Sequence, residues 1–163
     1  MAQNSNTPEE KLISSNPNAK QNYEWIELVE AGLVLTGTEI KSIRAQSPNL
    51  RDAFVEVQAR GPKLEAFLVN AHVAPYSHGN IWNHEPVRRR KLLLHRHQIE
   101  RLFGAITQKG LTCVPTRMYF KKGLAKVELA LARGKKKEDR REDIKKRSAD
   151  REMEQALKKS RRS

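Results

Sequence analysis

The fold is decided by the stretch LTCVPTRMYFKKGLAKVELAL, residues 111–131. Two apolar runs flank a KKG turn at 121–123, an arrangement typical of a β-hairpin. In the second run, apolar residues recur at every second position: Ala125, Val127, Leu129 and Leu131. Because successive side chains of a strand point to opposite sides, this period places the four residues on one inward face.

Segments before the hairpin also have strand patterns. We predict strands at 23–30, 53–57 and 63–73, with the Gly61-Pro62 pair as a turn between the last two. The Ala31-Gly32 pair allows a bend after the first strand, and residues 38–44 are predicted to form a short helical turn. These segments together indicate a chain that is rich in short antiparallel strands.

One longer helix is predicted just before the hairpin. Apolar residues fall at helical spacing at Ile99, Leu102, Phe103 and Ile106. Gly110 is placed to end this helix, since glycine readily adopts the left-handed conformation that follows a helix.

These patterns predict a mainly β fold in three parts. Residues 16–134 are expected to form a small antiparallel β-barrel of OB type with flanking helices, a Greek-key arrangement common in oligonucleotide-binding proteins. Residues 1–15 are expected to be a disordered polar lead. Residues 135–163 contain so few apolar side chains that we expect a basic tail that is disordered when free.

The charge of the chain points to a polyanionic partner. Its 163 residues include 32 Lys and Arg against 19 Asp and Glu, a net charge of +13. Such an excess is usual for binding to nucleic acid or to an anionic membrane surface. No apolar run approaches the roughly 20 residues of a spanning helix, and the first 15 residues lack the apolar core of a signal peptide. A cytoplasmic protein without membrane attachment is therefore expected.

The single cysteine, Cys113, cannot form an intramolecular disulfide or a cysteine-based zinc site. We expect no metal and no cofactor. The five histidines include none at the helical spacing with glutamate that marks a metal-binding helix.

Two basic clusters are candidate phosphate-binding sites. The run RRRKLLLH at 88–95 places four cations directly before three leucines, and the run GTEIKSIR at 37–44 begins a short helix. Arginine can bind two phosphate oxygens at once, and a helix start offers backbone donors. The alternative for the first is a solvated basic loop, which is common in so basic a chain. The alternative for the second, an ordinary connecting helix, is the more frequent case.

The tail carries helix-stabilising charge pairs. Residues 135–163 hold 13 basic and 7 acidic residues. Acidic residues precede basic ones by four positions at Glu142–Lys146, Asp143–Arg147 and Glu154–Lys158. We interpret the tail as a helix that folds against RNA, the alternative being a merely solubilising basic tail.

The order of several motifs resembles the small protein B family. The matching runs are EAG (30–32), GTEIKSIR (37–44), NLRD (49–52), RRRKLLLH (88–95), KG (109–110), VPTRMYFK (114–121), KVELALARGKK (126–136) and DRR (139–141). No single run is decisive, but their order and spacing over residues 16–147 are specific.

The resemblance implies an oligonucleotide-binding barrel that binds the transfer-RNA-like domain of transfer-messenger RNA. The protein then helps to bring that RNA to stalled ribosomes for trans-translation, in which the stalled chain is tagged. The tail is implied to be disordered when free and to enter the decoding centre and the empty messenger channel as a helix. Transfer-messenger RNA and the ribosome are the implied partners. We expect a monomer that is not an enzyme.

The resemblance also assigns residues. Asn16, Glu30 and Leu93 match family positions linked to RNA binding, and the basic residues that fit the same surface are Lys41, Arg44, Arg88 and Arg90. The implied ribosome-contacting residues of the tail are Lys135, Lys136, Asp139, Arg140, Arg141, Ile144 and Met153. The chain departs from the family pattern at Pro17-Asn18, where a basic pair is usual, and at Glu138, where an aromatic or histidine is frequent.

Two other functions compete with this one. The first is another RNA-binding barrel protein of the translation apparatus, which would share the basic surface and the tail. The second is an RNA-processing enzyme that uses His72, His84 or His95. The sequence shows no carboxylate–histidine constellation for such chemistry.

Overall fold

A computed structural model describes residues 10–79, 83–135 and 137–162, apart from the side chains of 137–140. Its seven strands form one antiparallel sheet in the order β1-β6-β7-β2-β5-β4-β3. The strands are β1 (Glu10–Ser15), β2 (Tyr23–Leu33), β3 (Phe54–Arg60), β4 (Lys63–Val69), β5 (Arg90–Leu93), β6 (Thr112–Lys121) and β7 (Leu124–Gly134). The mainly β class predicted from the sequence is confirmed.

The sheet does not close into the predicted barrel. It curls until β3 contacts β6, yet no backbone pairing joins these two strands in the described ranges. The reason is that β6 already pairs with β7 on one edge and with β1 on the other. Strand β3 therefore meets β6 by packing alone, and the result is a curled open sheet around one core.

The predicted hairpin is confirmed and extended. Strands β6 and β7 pair with Lys121 opposite Leu124, which leaves a two-residue loop. Both loop residues have positive φ, 52° at Lys122 and 77° at Gly123, as tight hairpin turns of this handedness require. On the inward face Val127 and Leu129 have no exposed surface.

Part of the predicted N-terminal lead is ordered structure, which corrects the disorder predicted for residues 1–15. Residues Glu10–Ser15 form β1, which pairs with β6 from Lys121 to Arg117. The Ser14 hydroxyl donates to the carbonyl of Pro48 at 2.7 Å, and Ile13 packs against the core. The partner strand lies about a hundred positions away in sequence, so no local pattern indicates this pairing. Residues 1–9 lie outside the described ranges.

The structure has four described helices: α1 (Pro17–Asn22), α2 (Gly37–Ala45), α3 (Arg96–Gln108) and α4 (Lys137–Arg162). Helix α3 confirms the periodic pattern and buries Leu102 and Ala105. Helix α1 was not predicted. It covers the outer face of the central strands, where Ala19 packs against Val114 and Ala130.

The tail forms one helix, α4, whose described side chains, from Arg141 onward, are exposed except for the half-buried Asp143. Near its start Lys135 forms an ion pair with Asp143 and approaches the carbonyl of Lys20 at 3.4 Å. That this segment orders only on the ribosome stays a prediction. None of the described helices is long and apolar enough to cross a membrane.

Candidate nucleic-acid interface

A groove of about 730 Å³ lies between the middle of the sheet and the start of α3. We call it the β2–β5 groove, and it is lined by Glu30 and Gly32 of β2, Lys91 and Leu93 of β5, and Lys126 of β7, among others. It combines a carboxylate, an apolar surface and cations in one concave site, which is the composition of a ligand-binding groove.

The short strand β5 decides which side chains enter this groove. Its four residues alternate between buried and exposed, so Arg90 and Leu92 point inward while Lys91 and Leu93 point outward. Leu93 is 56% exposed, an unusual position for leucine next to a core. An exposed large apolar side chain beside cations is the kind of surface on which a base can pack.

Glu30 is held in place by donors on the neighbouring hairpin. The Tyr119 hydroxyl donates to Glu30 Oε2, and Lys121 Nζ lies 3.4 Å from the same oxygen. The Tyr119 hydrogen bond is the main reason that the pKa of Glu30 lies below its usual value. Burial opposes it, and Lys121 and Lys126 lower the pKa further. Glu30 is therefore ionised and acts as an acceptor.

Tyr119 is itself fixed, since its ring is 1% exposed. The guanidinium of Arg117 lies 4.4 Å from the centre of that ring, and Glu10 and Glu128 bind the guanidinium at 3.2 Å each. Burial and the bond to Glu30 raise the pKa of Tyr119, so its hydroxyl stays protonated as a donor. The orientation of the Glu30 carboxylate is thus determined by a network across the four strands β1, β2, β6 and β7.

The predicted residues on α2 extend the surface. A second hollow, of about 300 Å³, is lined by Val34, Arg44, Leu93, Phe120 and Leu124 among others. It shares Leu93 with the β2–β5 groove, so the structure brings together Glu30, Leu93 and Arg44 as predicted.

Both predicted cations of α2 are exposed and lie over aromatic rings. The guanidinium of Arg44 lies 5.5 Å from the centre of the Phe120 ring. The Lys41 ammonium lies 5.7 Å from the centre of the Tyr76 ring. Cations held in this way remain available to phosphate.

The assignment of Arg90 to the surface needs correction. Arg90 has no exposed surface, and its guanidinium binds the equally buried carboxylate of Glu39. Its remaining donors reach the carbonyls of Ala71 at 2.8 Å, Arg88 at 2.9 Å and Pro86 at 3.1 Å. A guanidinium that is fully enclosed and bonded cannot meet a phosphate, so Arg90 supports the site from beneath.

Glu39 is the centre of this buried cluster. It accepts from the Thr36 backbone N–H at 2.9 Å in a capping box that begins α2, and from Arg88 Nη2 at 2.5 Å. Burial alone would raise the pKa of Glu39, but Arg88, the Thr36 amide and Arg90 outweigh it and lower the pKa. Glu39 was missed as a site residue, because its partners lie 49 and 51 positions away.

Arg88 is partly available, with 35% of its side chain exposed. Its Nε is buried and has no hydrogen-bond partner in the part of the chain that is described. Arg89 is more accessible than Arg88, with 43% of its side chain exposed. Its guanidinium lies 4.5 Å from the centre of the Phe67 ring and 3.6 Å from Glu56.

Asn16 has a structural position. It is 6% exposed and forms the N-cap of α1, where its side chain accepts from the Asn18 amide at 3.2 Å and donates to the Pro115 carbonyl at 2.8 Å. Pro17 occupies the first turn of α1, where proline is favoured. Asn16 is absent from the described residues that line the β2–β5 groove.

The predicted tail residues are spread along α4 and its approach. Arg141, Ile144 and Met153 are exposed, the last two by 47% and 69%. Lys136 lies outside the described residues, as do the side chains of Asp139 and Arg140. Nine positions are two and a half helical turns, so Ile144 and Met153 lie on opposite sides of α4.

Two of the three candidate histidines, His84 and His95, contact neighbouring groups, whereas His72 is exposed. Both ring nitrogens of His84 have partners, the Thr38 hydroxyl at 2.9 Å and the Val73 carbonyl at 3.0 Å. The His95 ring stacks on that of His97 with centroids 5.6 Å apart. Burial raises the pKa of Cys113 to about 12, which keeps the thiol protonated. Among the described residues, no three His, Cys, Asp or Glu side chains cluster closely enough to hold a metal.

Comparison with known proteins finds relatives over most of the chain. The sequence model of the SmpB protein family matches residues 13–159. An SsrA-binding protein of Pelobacter propionicus is 55% identical over 149 residues, covering 91% of this chain and 95% of that protein. One from Enterococcus faecalis is 51% identical over 154 residues, covering 94% and 97%.

A solved structure is similar as well. A chain from the structure described as "tmRNA-SmpB: a journey to the center of the bacterial ribosome" matches with a TM-score of 0.60 and 42% identity. The match covers 80% of this chain and 93% of the other. The fold, the family match and the relatives together lead to one conclusion: the chain belongs to the SmpB protein family.

Proposed function

We propose that this protein binds transfer-messenger RNA and delivers it to stalled ribosomes for trans-translation. The relatives are SsrA-binding proteins, and SsrA RNA is transfer-messenger RNA. The similar solved chain belongs to a structure of that RNA with SmpB and the bacterial ribosome. The single observation in this molecule that carries the proposal is the β2–β5 groove, in which an oriented carboxylate, an exposed leucine and several lysines converge.

The curled sheet acts as an OB-type platform in this proposal. OB-type proteins bind oligonucleotides on one face of a small curved sheet. Here β2 and β5 supply that face, with α3 closing one end of the groove. The exposed Arg44 of α2 extends the same surface for phosphate binding, and Lys41, three residues before it on the same helix, is exposed as well.

The tail acts separately from the groove. Helix α4 follows β7, and its side chains from Ile144 onward are exposed, so it can enter a channel while the sheet stays on the RNA. In this proposal α4 enters the decoding centre and the empty messenger channel. The protein works as a binding protein, as a monomer, and in the cytoplasm, where ribosomes translate.

A different RNA-binding role in translation would use the same basic surface without the transfer-messenger RNA. The two roles are distinguished by a reconstituted peptidyl-transfer assay on ribosomes stalled on a truncated message, run with aminoacylated transfer-messenger RNA. The full-length protein is expected to support transfer.

A chain ending at residue 134 serves as the matched control. It is expected to bind the RNA to within about threefold, or roughly 0.6 kcal/mol, because the groove is intact. It should fail in transfer because α4 is absent. If the full-length protein gave no transfer, or if truncation abolished RNA binding, the proposal would be wrong.

A further inference from the structure

We propose that the ion pair between Lys135 and Asp143 is a latch that holds the start of α4 against α1 and the beginning of β2, and that an RNA phosphate bound at Lys135 opens it. The latch keeps the tail folded back against the body until the protein meets RNA. It concerns the start of α4, so the prediction that the tail orders only on the ribosome applies to the residues beyond Asp150.

Lys135 is anchored to the body of the protein just before α4. Its backbone N–H donates to the Asn22 carbonyl at 2.9 Å, one residue beyond the last pair of β2 with β7, Tyr23 and Gly134. Its side chain is only 17% exposed, and its Nζ lies 3.4 Å from the carbonyl of Lys20 in α1. The Lys135 ammonium therefore has a fixed position between the sheet and α1.

Asp143 ties the helix to that ammonium. It lies in the second turn of α4, is half-buried, and forms an ion pair with Lys135 eight positions before it. The hydrogen bond from Lys135 lowers the pKa of Asp143 below its usual 3.8, so the carboxylate is ionised. Because a short stretch of chain joins the two groups, each stays near the other at a high effective concentration. The latch can therefore close without a partner.

A hollow of about 580 Å³ lies between this part of α4 and the body. The side of α4 that lines it carries residues at helical spacings of three and four: Asp143, Lys146, Arg147 and Asp150. Across the hollow lies Trp25, whose indole N–H donates to the Ala19 carbonyl at 2.9 Å. Since this space separates the helix from the start of β2, the ion pair rather than apolar packing holds α4 here.

A phosphate competes with Asp143 for the Lys135 ammonium. Phosphate oxygens accept charge-assisted hydrogen bonds as a carboxylate does, and lysine binds phosphate as a point charge. In the latched state Asp143 neutralises Lys135, and its own charge repels a phosphate. In the released state Lys135 and Lys20, which line the same hollow, can both bind one. A ligand that binds one of two states better shifts the equilibrium toward it, so RNA favours release.

Double electron–electron resonance between two nitroxide labels measures whether α4 is latched. In the full-length protein one label is attached at Gln108→Cys, at the end of α3, and the other at Ser148→Cys in α4, both exposed positions. Cys113 is buried and its pKa is raised to about 12, so it does not take up label. At low salt we expect a narrow distribution of distances between the labels.

Asp143→Asn removes the carboxylate of the latch, and Glu142→Gln is the matched control, since it removes the same charge from an exposed neighbour. Asp143→Asn should lower the ratio of latched to released protein about threefold, a size typical of part-exposed ion pairs. Glu142→Gln should change that ratio by less than about 1.5-fold. Asp143→Glu, which retains a carboxylate, should keep the narrow distribution.

Single-stranded oligouridine tests the role of phosphate. At saturating concentration it should broaden the wild-type distribution, whereas the same ionic strength supplied by sodium chloride should broaden it less. A wild-type distribution as broad as that of Asp143→Asn, or equal effects of Asp143→Asn and Glu142→Gln, would overturn the latch. A distribution that stays narrow with oligouridine would overturn release by phosphate. These results do not depend on transfer-messenger RNA, so they stand or fall apart from the proposed function.

Discussion

Glu39 lies buried in an ion pair with Arg90, so the structure allows a direct estimate of how much stability is lost when its charge is removed. We predict that Glu39→Gln lowers the free energy of unfolding by about 3 kcal/mol, because breaking a buried ion pair leaves an uncompensated charge and typically costs roughly 3–5 kcal/mol. The lower end of that range applies because Arg90 keeps three carbonyl acceptors, at 2.8, 2.9 and 3.1 Å. The glutamine oxygen can also still accept one hydrogen bond.

The loss of stability should depend on pH. The folded pKa of Glu39 is lowered from its usual value of 4.5. A lowered folded pKa means that the contribution to stability is fully present above the unfolded pKa and is lost as pH falls through the folded pKa. Wild type and Glu39→Gln should therefore differ most near pH 7 and converge as the pH is lowered below the usual carboxylate range.

Urea unfolding followed by circular dichroism measures this difference. Glu100→Gln is the matched control, since Glu100 forms an exposed pair with Arg96 whose side chains are 55% and 88% exposed. That change should alter stability by less than about 0.5 kcal/mol. A Glu39→Gln protein within about 0.5 kcal/mol of wild type at pH 7 would refute the reasoning that this pair supports the fold.

The surface cations, the Tyr119 hydroxyl and the tail helix can each be tested by substitution. Replacing both Lys41 and Arg44 with alanine should flatten the salt dependence of RNA binding. The slope of log affinity against log salt should change by roughly 0.7 to 0.9 for each phosphate that is no longer neutralised. An unchanged slope in a gel-shift series would exclude both residues from phosphate binding. Tyr119→Phe should raise the lowered pKa of Glu30 toward 4.5, which carboxyl-detected NMR can follow. An unchanged pKa would mean that Lys121 and Lys126 hold it down without the hydroxyl. Ala149→Pro should add roughly 3 kcal/mol to the free energy of forming α4. It should spare binding to free transfer-messenger RNA but lower peptidyl transfer, whereas Ala149→Gln, which is compatible with a helix, should lower neither. Wild-type transfer rates for Ala149→Pro would mean that the tail acts through charge alone.

Local periodicity predicted the elements whose partners lie nearby in sequence. The hairpin of β6 and β7 was evident because its period of two and its turn residues lie within one stretch, and α3 because its apolar residues follow a period of 3.6. Strand β1 could not be predicted, because Glu10–Ser15 has no alternation of its own and gains its partner only through β6. Closure of the sheet was misjudged for the same reason, since β1 takes the edge of β6 that a barrel would need.

The sequence could suggest the exposed residues of the candidate site, but it could not suggest the buried ion pair beneath them. Glu30, Leu93 and Arg44 do share one surface. Arg90 resembled a surface cation because its neighbours in sequence are three other cations. Its burial is made possible by an ion pair with Glu39, which lies 51 positions away in sequence. One local signal was available: in a four-residue strand, placing Leu93 outward requires Arg90 to point inward.

Binding of transfer-messenger RNA, the central claim for this protein, is tested most directly by sequencing the RNA that co-purifies with the full-length protein from its own cells. A Glu30→Gln protein, purified in parallel, shows how much of the bound RNA depends on the groove. We predict that transfer-messenger RNA is the most enriched species with the wild-type protein and is depleted with the variant. Enrichment of ribosomal or bulk RNA without transfer-messenger RNA would contradict the claim.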